Sequence, residues 1–175
     1  MLRSRFGFAC LGLALLATTG ATSRRSAAPL VTTREIIAVY LGTEGTDARS
    51  GMVDVVRDMK SALKQQAASS GRTFVSRGVS LAPSVEGGIR HLALFGPFDE
   101  VSLGGNWTNS AVVRYLGGDM SNQQRAAIPQ VIVLERDVQR DGGSMLLVGP
   151  EREIARYIGG NKIADWVRSG TPLPR

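Results

Sequence analysis

Apolar positions along this chain fall into two alternating periods. Ile36-Ile-Ala-Val-Tyr-Leu41 is an unbroken run rich in β-branched residues that stops at Gly42, the pattern of a strand buried on both faces. A polar stretch, 43–50, follows. Met52, Val55, Val56, Met59 and Leu63 then recur at helical spacing, predicting one apolar stripe that Ser69-Ser-Gly71 terminates. Residues 73–81 alternate as a second strand. Pro83-Ser84 opens a second helix with Val85, Ile89, Leu92 and Phe95 on its inner face, which leaves His91 off the stripe and in solvent. A short strand is predicted over 99–103, and a short helix over 111–116 capped by Asn109 or Ser110. Ile128-Pro129 leads into a buried strand over 130–136. Asp141-Gly-Gly143 turns the chain, and 144–149 returns as the second arm of a hairpin. Residues 153–158 read as a helix begun by Pro150, with a strand as the competing reading. Asn161 caps a last helix carrying Ile163, Trp166 and Val167.

The order β-α-β-α-β-α-β-β-α predicts an α/β fold. Early alternation gives parallel crossovers, and the closing hairpin adds an antiparallel edge, so a mixed central sheet carries helices on both faces. One domain over 35–170 with a tail at 171–175 accommodates the pattern, and no repeat of solenoid length is visible. Composition agrees: of 175 residues, 43% are hydrophobic and 21% charged, the balance of a globular domain. With 21 glycines and few aromatics, the core is expected to be aliphatic and the turns many.

The first residues follow a different logic. Basic Met1-Leu-Arg-Ser-Arg5 precedes the apolar run 6–17 and the small residues Thr18–Ser23, the three-part order of a secretory signal peptide. The expected organisation is a leader over 1–23, cut somewhere within 21–28, and a linker over 24–34. The apolar run is about 12 residues, against roughly 20 for a spanning helix, so no stable membrane span is expected after cleavage. An uncleaved, buried N-terminal helix is the alternative. Removing the leader lowers the net charge from +6 to about +4, and to about +2 if Arg24 and Arg25 also go. It removes Cys10, the one cysteine, from a chain bound for a disulfide-permissive compartment outside the cytoplasm. With one cysteine and one histidine, a Cys/His zinc site, a disulfide framework and a two-cysteine redox pair are excluded within a single chain, and no cofactor is expected. The basic charge is not interleaved with aromatics, which argues against nucleic acid.

A buried strand feeding a polar loop and long helix, an Ile-Pro before a later strand, and a terminal hairpin plus helix occur here in that order. With these features the chain resembles the thioredoxin-like superfamily. The segment 82–118 is similar to the insertions of peroxiredoxins and secreted thiol-reductases. The resemblance implies a three-layer α/β/α arrangement with a central mixed sheet and a C-terminal β-hairpin plus helix. It places Glu44 at the family's acidic position and Gly45 at its aromatic one. Thr46-Asp47-Ala48-Arg49 falls on Cys-x-x-Cys, and Ile128-Pro129 on the cis-proline loop facing it.

Where that family carries sulfur, this chain has none. Thiol–disulfide exchange needs an attacking thiolate and a resolving thiol, and Thr46 and Arg49 supply neither. A threonine hydroxyl is a poor nucleophile without an activating base. The sequence is therefore read as an exported, non-catalytic domain that binds a peptide or protein segment, or serves structurally. The alternative is an exported thioredoxin- or peroxiredoxin-like oxidoreductase of atypical chemistry. The candidate binding residues are Glu44, Thr46, Asp47, Arg49, Ile128 and Pro129. Capping of the helix by Asp47 or Ser50, with Arg49 solvated, accounts for the same residue types without a ligand. Trp107 reads as an exposed binding aromatic or as a plug at the sheet end, and Asn106-Trp-Thr108 has the form of a glycosylation acceptor. The mixed-sign run Glu135–Asp141 reads as a solvated hairpin end.

Overall fold

The computed structural model describes residues 31–45, 51–117, 127–140 and 146–174. The expected leader, and Thr46, Asp47 and Arg49 among the candidate site residues, lie outside them. Among the described residues, six strands form one mixed sheet: β1 (Val31–Gly42), β2 (Thr73–Ser80), β3 (Glu100–Ser102), β4 (Gln130–Arg140), β5 (Leu146–Val148) and β6 (Arg152–Ile158). Four α-helices accompany it: α1 (Met52–Ser69), α2 (Val85–Ala93), α3 (Ser110–Leu116) and α4 (Gly160–Arg168). The sheet order is β3-β2-β1-β4-β5, with β6 also paired to β4. β1, β2 and β3 run parallel; β4 is antiparallel to β1, and β5 and β6 are antiparallel to β4. None of the described helices is long and apolar enough to cross a membrane.

Strand β1 is central, and its period of two divides the core. Ile36, Ala38 and Tyr40 face α1 and α4, packing with Met52, Val56, Met59, Leu63, Ile163 and Trp166. Ile37, Val39 and Leu41 face α3, packing with Val112, Leu116, Ile132 and Leu134. Helices thus cover both faces of the sheet. In α1 the buried positions 52, 56, 59, 63 and 67 trace one stripe. The helix begins after Gly51, in the left-handed region at φ 72°, with no side-chain cap bond. It ends as Gly71 turns left-handed, letting the Arg72 N–H reach the Ala67 carbonyl at 2.8 Å.

Several expectations need correction. β1 takes in Val31–Arg34, assigned above to the linker, because these residues pair with Asp137–Arg140 as β4 runs on to Arg140. Residues 152–158 are a strand: β6 lines the edge of β4 opposite β1, and the expected hairpin arm shrinks to Leu146–Val148 at the far end of that edge. Thr171, expected in a tail, is fully buried, and Gln66 Nε2 donates to its hydroxyl at 2.6 Å. His91 is 1% exposed, not solvated, whereas Val85 and Ile89 are about half exposed. The inner face of α2 is Gly87, Gly88, His91 and Leu92. Two glycines let this helix approach so closely that a Cβ on Gly88 would sit 3.0 Å from Leu103. Asn109, not Ser110, caps α3, accepting from the N–H groups of Ala111 and Val112.

The turn after α2 is pinned by Asp99. Burial alone would raise its pKa. Ser76 opposes this by donating its N–H and its hydroxyl to Asp99 Oδ2, both at 2.7 Å, and Lys64 and Lys60 add to the effect, so the carboxyl is held below its ordinary value. The folded state thus favours ionised Asp99. Its contribution is complete above the unfolded carboxylate pKa of about 4 and fades as pH falls through the lower folded value. Asp99→Asn is expected to lower stability at pH 7 by at most about 1 kcal/mol, a deficit that shrinks toward pH 3 in urea melts. A deficit that does not change with pH would contradict this.

Candidate functional site

The carboxyl ends of β1 and β2 lie at one end of the sheet, where ligands of open α/β sheets commonly bind. Leu41 opposite Gln130 is the last pair of the β1–β4 ladder, so 43–45 and 127–129 leave the sheet side by side. Two further elements close this end. The Gly159 N–H donates to the Pro129 carbonyl at 2.8 Å, and Gly160, opening α4, lies against Met52, opening α1. The Ile128–Pro129 peptide is cis. Both residues are half-buried, and Ile128 packs against the α3-side core.

Of the predicted site residues, Ile128 and Pro129 therefore border the end of β1. Glu44 is exposed and turns toward α2: one carboxylate oxygen is 3.5 Å from Arg90, and the other lies where a Cβ on Gly87 would be 3.0 Å away. No hydrogen bond or ion pair among the described residues joins Glu44 to 127–130. With both partners exposed, the Glu44–Arg90 pair contributes little to stability.

Two residues absent from the sequence prediction hold the 127–130 turn. Gln130 is fully buried; its Nε2 donates to the Ala127 carbonyl at 2.5 Å, and its Oε1 accepts from Arg156 Nη1 at 2.8 Å. Arg156 also donates to the Tyr115 carbonyl and, through Nε and Nη2, to Glu153. The signal in the sequence was a lone amide just before the apolar run 131–134, a position that demands internal partners. Among the described residues, no hydrogen bond engages the Ile128 N–H or carbonyl.

Elsewhere, charge concentrates on the sheet face beside α3. Glu151 accepts from Arg77 at 2.7 Å, Arg114 at 2.9 Å and Arg136 at 3.3 Å. Arg77 also bonds Glu100 and the Tyr115 hydroxyl, and Arg136 bonds Glu35. Burial works against the Arg77 charge, but the bonds to Glu151, Glu100 and Tyr115 outweigh it and raise the guanidinium pKa. The run expected to be solvated at Glu135 and Arg136 is thus a largely buried part of β4. Opposing charges are matched here, and the network joins β1, β2 and β4 to α3. Ser80 Oγ lies 3.0 Å from His91 Nδ1, but with exposures of 0% and 1% this pair is sealed in the core, out of reach of a substrate. Trp107 is about half exposed on a 3-10 turn.

Comparison with known proteins yields no matching family model, no matching curated protein and no matching solved structure.

Proposed function

We propose that this chain is an exported, non-catalytic domain of thioredoxin-like architecture that docks an extended peptide or protein segment at the carboxyl end of β1, beside Ile128 and Pro129. The parallel β1-α1-β2 unit, the antiparallel β4 and the closing strand and helix are consistent with that architecture. The observation that carries the binding role is the Ile128 main chain. Its N–H and carbonyl have no partner among the described residues, directly beyond the last β1–β4 pair. Backbone groups at such a position are satisfied by water or by an added strand, and the second gives affinity through main-chain bonds. Gln130 and Arg156 hold the turn in place, so little ordering remains to be done on binding.

Amide-shift mapping on the full chain, with decapeptides selected from a random display library as probes, tests this. The largest shifts are expected at Ile128, Gln130 and Gly159 and in 43–45. Shifts confined to the α3 face would refute the location. Reductase activity of the full chain that survives Cys10→Ser would refute the non-catalytic reading.

A further inference from the structure

We propose that a cavity between α1, the start of β2 and the turn 95–99 binds a small organic carboxylate with an apolar body. This site is independent of the peptide-docking reading. The cavity has a volume of about 410 Å³, within the range of small-molecule sites of about 300–1,000 Å³. Its apolar wall comes from the half-buried ring of Phe74 and from the exposed Pro97. Its rim is basic: Arg57, Lys60 and Lys64 project from α1 at spacings of three and four, so all three lie on one helix face.

Like charges at those spacings repel. Asp99 is the one acid on the cavity wall, and its Oδ2 is already engaged by Ser76. Arg57 lies 3.8 Å from Asp54 and donates to the Leu94 carbonyl at 2.7 Å. The excess positive charge is therefore that of Lys60 and Lys64 against Asp99, next to the Phe74 ring. Lys60 does not swing freely. Its ammonium donates to the Phe95 and Pro97 carbonyls, both at 2.8 Å, and sits 4.1 Å from the centre of the Phe98 ring. Two of its three hydrogens are thus committed, which leaves one for a ligand oxygen. Burial lowers the Lys60 pKa, Asp99 acts against that, and Arg57 adds to it. A carboxylate would relieve the repulsion while its hydrocarbon part covered Phe74 and Pro97. Inorganic anions meet only the first need, and neutral alcohols only the second.

Calorimetric titration of the full chain with octanoate, inorganic phosphate and 1-octanol separates these cases. Octanoate is expected to bind saturably and at least about tenfold more tightly than either control, shifting the amides of Lys60, Phe74 and Ser76. The exposed pair Arg57→Gln/Lys64→Gln is expected to weaken octanoate about tenfold while the melting temperature stays near that of the parent. The proposal is overturned by phosphate binding as tightly as octanoate, by no saturable octanoate binding, or by octanoate affinity unchanged in the double variant.

Discussion

Phe95→Ala is expected to remove about 4 kcal/mol of stability, the middle of the range for truncating a buried aromatic. Phe95 is fully buried just beyond α2, and its neighbours are rings that cannot slump into the space it leaves. Tyr40 lies 4.7 Å away between centroids, and His91 meets it edge-on at 5.2 Å. Tyr40 is fixed in the central strand, and His91 is held through Nδ1 by Ser80. Loss of these ring contacts adds about 0.5–1.5 kcal/mol beyond area, and a cavity with rigid walls keeps its full cost. Denaturant titration of parent and variant reads the difference directly. A loss under about 1.5 kcal/mol would mean that the aromatic cluster is not packed as described.

Sequence periodicity located the buried run of β1 and the stripe of α1 because nothing competes with it there. Ile36–Leu41 can be satisfied only by burial on two faces, and 52, 56, 59, 63 and 67 form a single stripe. It failed on α2, where the buried face is built from glycines and a histidine, residues that hydrophobicity does not count. Close packing, not apolar content, decided that face: a Cβ on Gly88 would crowd Leu103 at 3.0 Å, and on the same face His91 sits beside Ser80. It also left 153–158 undecided, since a strand carrying Glu153 and Arg156 becomes intelligible only once Arg156 is seen satisfying buried Gln130. For the candidate site, the Ile-Pro turn and its place beside the end of β1 could be read in advance. The turn of Glu44 toward α2 and the polar anchor behind Ile128 depend on contacts between residues distant in sequence, and no local pattern announces those.

Glu151→Gln is expected to cost about 3 kcal/mol, the lower end of the range for breaking a buried ion pair from one side. The carboxylate is the shared acceptor for Arg77, Arg114 and Arg136, and its side chain is 10% exposed. Neutralising it leaves Arg77 and Arg136, about as buried as Glu151 itself, each with one remaining acid: Glu100 for the first and Glu35 for the second. Those surviving partners are why the cost stays at the lower end. Arg114 is mostly solvated, and its share is no more than about 1 kcal/mol. Because the guanidinium of Arg77 is costly to keep buried without Glu151, removing both should hurt less than the two losses added. A double-mutant cycle of Glu151→Leu and Arg77→Met is therefore expected to give a coupling of about 2 kcal/mol. The coupling should persist when salt is raised to screen exposed charges. A single-variant loss below about 1 kcal/mol together with no coupling would place these charges in solvent and undo the account of how this face of the sheet is held to α3.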